Sequence, residues 1–208
     1  MTQSSVTLLE AIEHLYQTAV VDQVTTSTLR LQKLAQYCIE QLDERGLSNA
    51  KTDVTIPGGG RPKQWDVAWK YHKKYRLAIS LKSILRNLPG TVPNRIDDLM
   101  GEVANIQMYS PEVVVGYLMV FDVSQDVISR KHGCTWCELL TSRLAALSGR
   151  RAPSWSVGMI EAFVVVQVDF SQDARLITPE ADVQSMFNIL VSEVKRRNPS
   201  LNETGVGR

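Results

Sequence analysis

The chain has 208 residues, of which 44% are hydrophobic and 22% charged, with a formal net charge of +1. Those fractions exclude a disordered chain, and the near-neutral balance gives no overall field toward nucleic acid or membrane. Three cysteines, an odd number, argue against a disulfide scaffold.

The N-terminus has no basic segment followed by an apolar one, and the longest apolar runs, Val113–Phe121 and Ala162–Val168, are too short to span a bilayer. A single domain over residues 1–208 and a cytoplasmic location are expected. Residues 1–46 read as an N-terminal helical part and 47–208 as the core.

Ser4 and Ser5 are cap candidates for a first helix with Leu8, Ile12, Leu15 and Ala19 on one face. A second helix carries Leu31, Leu34, Cys38 and Leu42, with Gly46 as the residue that stops it. A flexible loop is expected over 51–63. Its Pro57-Gly58-Gly59-Gly60-Arg61-Pro62 lacks the spacing of a nucleotide-binding phosphate loop, so no nucleotide cofactor is expected. Asp66–Tyr71 and Tyr75–Lys82 alternate with period two around His72-Lys73-Lys74, which predicts a β-hairpin.

A helix is expected from about Arg95 to Met108, then a doubly covered strand over Val113–Phe121, a helix over Thr135–Leu147, a strand over Ile160–Phe170 and a closing helix over Ala181–Arg197. The order is α-α-β-β-α-β-α-β-α. It predicts an α/β fold, a mixed central β-sheet flanked by helices with the N-terminal helices added.

Strand periodicity places Ser80 and Lys82 on one face of the second hairpin strand, and Asp66, Ala68 and Lys70 on one face of the first. An ammonium in the apolar Ala78-Ile79-Ser80-Leu81-Lys82 strand is costly alone, and a carboxylate on the neighbouring strand offsets that cost. Asp66, a turn, then Ser80-x-Lys82 resembles the PD-(D/E)xK nuclease superfamily, which includes most type II restriction endonucleases. Trp65 stands where that pattern often has proline, and Ser80 where it usually has Asp or Glu. A subgroup of type II enzymes shares the S-x-K form and takes its missing acid from the following helix.

The resemblance implies a restriction-endonuclease-like core and Mg²⁺-dependent hydrolysis of double-stranded DNA, leaving a 5′-phosphate and a 3′-hydroxyl. It implies Asp66, Ser80, Lys82 and an acid of the next helix as the catalytic set. Asp66, the Leu81 carbonyl and that acid would hold the metal, and Lys82 would orient the attacking water. Glu102 lies nearest the border of the helix's apolar face and is the chosen acid; Asp97, Asp98 and Glu40 are the alternatives. Cutting both strands implies a homodimer. A repair or recombination nuclease of the same fold, or a DNA-binding module with an inactive site, remains open.

Between Arg61 and Arg95 there are nine basic residues and one acid, Asp66, so this stretch carries +8 and the rest −7. The expected phosphate contacts are Arg61, Lys63, Lys70, Lys73, Lys74, Arg86 and Arg95, with Arg150 and Arg151 added. Lysines also protect strand edges, a sufficient reason for Lys73 and Lys74. His132, Cys134 and Cys137 have the spacing of a partial zinc site that would need Cys38 or His72. Thr135 and Glu138 form a capping box that explains the segment as a helix start.

Overall fold

The computed structural model describes residues 5–24, 28–153 and 155–203. Six strands, β1 (Lys51–Ile56), β2 (Lys63–Tyr71), β3 (Lys74–Ile84), β4 (Val114–Asp122), β5 (Ala162–Asp169) and β6 (Arg175–Leu176), lie in one sheet in sequence order. The pairs β1–β2, β2–β3 and β5–β6 are antiparallel, while β3–β4 and β4–β5 are parallel. The sheet is thus mixed, as expected, with two more strands than the four predicted.

Each parallel pair needs a crossover, supplied by α3 (Leu88–Tyr109) and α4 (Trp136–Ala146). Both pack on one face, where Leu99, Val103, Leu140 and Leu144 meet Ala78, Tyr117 and Met119. The other face is covered by α1 (Leu8–Tyr16), α2 (Gln32–Glu44) and α5 (Glu180–Arg197), with Ile12, Cys38 and Phe187 packing near Val67, Ile79 and Leu118. The N-terminal helices therefore share a core with the sheet. All nine residues of β4 are buried, which explains its unbroken apolar run.

Several local expectations change. The first helix is capped by Thr7, whose side chain accepts from the Glu10 N–H while Glu10 returns the bond, so Ser5 is not its cap; Ser4 lies outside the described residues. The hairpin turn holds His72 and Lys73 at φ 47° and 64°, the two positive values a two-residue turn of this hand requires. Helix α3 begins at Leu88, well before Arg95: Pro89 is tolerated in the first turn, and Pro93 lies inside the helix. Thr135 and Glu138 form the capping box of α4.

The 57–62 segment is not a loose loop. The Asn105 side chain of α3 accepts from the Gly60 and Arg61 N–H groups at 2.9 and 3.3 Å and donates to the Arg61 carbonyl at 2.8 Å. A Cβ on Gly58 would lie 2.0 Å from Asn105 Nδ2, and one on Gly59 2.7 Å from Met108 Cβ. Glycine is needed here for close approach to α3.

Candidate active site

The site forms where β2 parts from β3. Their ladder pairs Val67 with Ile79 and has no counterpart for Asp66, while β3 runs on beside β4 to Ile84. The Leu81 N–H, left without a strand partner on the β2 side, donates to Asp66 Oδ2 at 2.7 Å. A residue's N–H and C=O leave a strand on the same edge, so the Leu81 carbonyl opens toward the same gap.

Ser80 and Lys82 point to the α3 side of β3. Lys82 Nζ sits between two carboxylates, 3.8 Å from Asp66 Oδ2 and 3.9 Å from Glu102 Oε2. Glu102 is three residues past the buried Leu99, and its side chain is only 10% exposed. It accepts from Ser80 Oγ at 3.4 Å through Oε2 and from Lys63 Nζ at 2.5 Å through Oε1. Burial pushes the Asp66 carboxyl above its ordinary range, against the pull of the Lys82 ammonium and the Leu81 N–H; the Glu102 and Asp53 charges push the same way as burial.

Asp66, Ser80, Leu81, Lys82 and Glu102 are therefore brought together. The alternative acids are not. Asp98 is exposed and pairs with Arg95 at 3.2 Å, and Asp97 is exposed. Glu40 accepts the Val6 N–H at 2.7 Å and the Gln36 amide, which ties down the N-terminal segment.

Two members of the site were not anticipated. Lys63, expected at a phosphate, bonds Glu102 because the clamped 57–62 segment delivers it there. Tyr117, opposite Ser80 in the β3–β4 register, is 1% exposed and its hydroxyl has no partner among the described residues. Burial and the Glu102 charge push its pKa up, so it stays protonated. Nothing in an unbroken apolar strand marks it out beforehand.

The basic run divides in two. Lys63, Lys82, Arg86 and Arg95 lie toward the carboxyl end of β3. Lys73 and Lys74 lie at the hairpin turn, eight residues or roughly 26 Å along the strand from Lys82. Lys70 Nζ lies 4.2 Å from the Tyr75 ring centroid, and Arg61 is exposed, held through its backbone by Asn105.

Arg150 is a correction. Only 3% exposed, it pairs with Glu161 at 3.1 Å and donates to the Pro111 and Ser156 carbonyls, so it braces the fold and does not reach a ligand. Arg151 beside it is exposed. Cys137 lies in the core under α4, whereas Cys38 is fully buried on the opposite side of the sheet, so the two share no metal site. Among the described residues no helix is long and apolar enough to cross a membrane.

No protein-family profile matches this chain, and no curated protein sequence matches it. Among solved structures, the small subunit of the heterodimeric restriction endonuclease R.BspD6I aligns over 91% of this chain and 97% of that chain, at 8% identity and a TM-score of 0.33. A likeness of that size carries no weight for function.

Proposed function

We propose that this chain is a metal-dependent endonuclease that hydrolyses phosphodiester bonds in double-stranded DNA. The observation that carries this reading is the Lys82 ammonium held between the Asp66 and Glu102 carboxylates at 3.8 and 3.9 Å, beside the open edge of Leu81.

The donor set suits a hard divalent cation. Two carboxylates and a backbone carbonyl converge, and Mg²⁺ binds through one or two carboxylates with water and substrate phosphate completing its shell. A cation between the acids would also offset the burial that now disfavours Asp66 ionisation. When bound, the ion would supply Lewis acidity and lower the pKa of a bound water.

The protein's own groups then have distinct tasks. Asp66 and Glu102 hold the cation, and the Leu81 N–H fixes the orientation of Asp66. Lys82 Nζ orients the attacking water and stabilises the charge that develops on the phosphate oxygens. Ser80, whose hydroxyl donates to Glu102 Oε2 at 3.4 Å, steers that carboxylate. The acid that a D-x-K strand would carry at position 80 is thereby supplied from α3. A homodimer is proposed because one such site cuts one strand.

The test is cleavage of a long, sequence-diverse duplex with Mg²⁺, comparing the natural chain with Asp66→Ala and Lys82→Ala. Discrete fragments lost in both variants are expected. Preferred cutting of branched junctions would indicate a repair or recombination role. Salt-sensitive binding without cutting under several divalent metals would reduce the protein to a binding module, and cutting that survives both substitutions would overturn the site.

A further inference from the structure

At the carboxyl ends of the parallel strands β3, β4 and β5 the two helical layers part around a cleft of about 530 Å³. Three guanidinium groups line this one: Arg30 from the N-terminal segment, Arg86 just past β3, and Arg95 from α3. They are close enough to act on one another. Burial, and then the Arg95 and Arg86 charges, lower the pKa of Arg30.

One of the three, Arg95, pairs through Nη1 with Asp98 at 3.2 Å, yet the lining keeps an excess of positive charge. Asp122 is the one carboxylate there among the described residues, and it already accepts the Ser124 and Phe170 N–H groups at 3.0 and 3.2 Å. Two buried polar atoms also lack partners among the described residues: Ser83 Oγ, on a residue 5% exposed, and Arg95 Nε. Unpaired buried donors are uncommon and expensive. Here they line a cationic crevice, where an anion with several oxygens would satisfy them.

We propose that this cleft is a phosphate subsite, separate from the Asp66–Lys82–Glu102 centre, in which Arg30, Arg86, Arg95 and the Ser83 hydroxyl hold one phosphate group. Planar guanidinium forks match phosphate oxygens two at a time. The cleft lies at the carboxyl end of β3, where Ser83 stands one residue past Lys82 on the opposite face of the strand, and it reaches the α3 side through Arg95, seven residues or about 10 Å of helix before Glu102. Which phosphate it takes rests on the nuclease reading: a backbone phosphate flanking the bond to be cut. Capture of phosphate itself does not depend on that reading.

The test has two arms on the full chain. In metal-free buffer at constant ionic strength, inorganic pyrophosphate is titrated by calorimetry. Saturable binding is expected, weakened at least ten-fold by Arg30→Gln and by Arg95→Gln, a few-fold by Ser83→Ala, and retained in Asp66→Asn. In the cleavage arm, Arg30→Gln should raise KM at least ten-fold while kcat stays within about two-fold. Ser83→Ala, a small change, serves if an arginine variant does not fold. Binding that is equal in the folded variants, or matched by chloride at equal ionic strength, overturns the subsite. Pyrophosphate binding that follows these variants in a chain that cuts no DNA leaves the subsite standing and removes the nuclease reading. DNA cutting with pyrophosphate binding indifferent to them does the reverse.

Discussion

Asp66 Oδ2 accepts the Leu81 backbone N–H at 2.7 Å, so a side chain takes the place a strand partner would fill where β2 leaves β3. That bond orients the carboxylate but does not fully compensate its burial, and the Asp66 pKa is raised. A raised folded-state pKa means the native protein binds the proton more tightly than the unfolded chain. Stability therefore falls as pH climbs from the ordinary carboxylate range through the raised value. Asp66→Asn, which keeps an acceptor for the Leu81 N–H, should be more stable than the natural chain at neutral pH, with the difference vanishing below the ordinary range. Urea midpoints at pH 7.5 and pH 3.5 check this. Mg²⁺ should stabilise the natural chain by about 2.7 kcal/mol at one hundred times its Kd and leave the variant unmoved. A variant less stable at pH 7.5 would contradict the sign.

Lys63 occupies Glu102 Oε1 at 2.5 Å, an oxygen that the proposed cation would need. Partly exposed ion pairs are worth up to about 1 kcal/mol, which corresponds to roughly a five-fold change in an equilibrium constant. Lys63→Ala should therefore lower the Mg²⁺ concentration for half-maximal cleavage by up to about five-fold, whereas Lys82→Ala should abolish cleavage at every concentration. A Mg²⁺ titration of each variant separates the two lysines. A higher Mg²⁺ requirement in Lys63→Ala would show that this lysine supports the site and does not compete with the metal.

Asp66, Ser80 and Lys82 were legible because the period of a strand is two and charge in an apolar strand stands out. Glu102 was legible from its position three residues after Leu99, on the border of a buried stripe. Edge strand β1 was hidden because half of its residues are exposed and Asp53 breaks it with φ 52°. The first turns of α3 were hidden by Pro89, Gly90 and Pro93, which read as a loop; a first turn tolerates Pro89, but Pro93 lies inside the helix, where sequence rules argue against it. Arg150 misled for a different reason. Its neighbours in sequence look like a surface loop, while its partner Glu161 lies eleven residues on and is shared with Arg197. Contacts of that kind have no local signature.

The Tyr117 hydroxyl is buried without a partner among the described residues. Leaving a buried hydroxyl unsatisfied costs about 1–3 kcal/mol, and phenylalanine has the same ring without that burden. Tyr117→Phe should raise the urea midpoint by the equivalent of about 1 kcal/mol at unchanged m-value. A loss of stability would mean the hydroxyl is bonded in solution, for example to Glu102 through a water.

Glu161 has the opposite character, since its carboxylate is fully enclosed and both of its oxygens have partners. Oε1 meets Arg197 at 2.7 Å and Arg150 at 3.1 Å, while Oε2 accepts the Val115 N–H at 2.6 Å. Those contacts tie the start of β5 to β4 and to the end of α5. Glu161→Gln keeps the shape and one acceptor but leaves the enclosed Arg150 guanidinium without its carboxylate and Arg197 with Glu193 alone, at 3.2 Å. Breaking a buried pair in this way costs about 3–5 kcal/mol, a large fraction of a domain's stability. Urea unfolding should show a loss of that size. Because the triad stands at the amino ends of β4 and β5, away from Lys82, the variant that remains folded at low temperature should retain the proposed Mg²⁺-dependent cleavage. A loss below 1 kcal/mol would mean water enters and screens the arginines, and the bracing role assigned to Arg150 would fall with it.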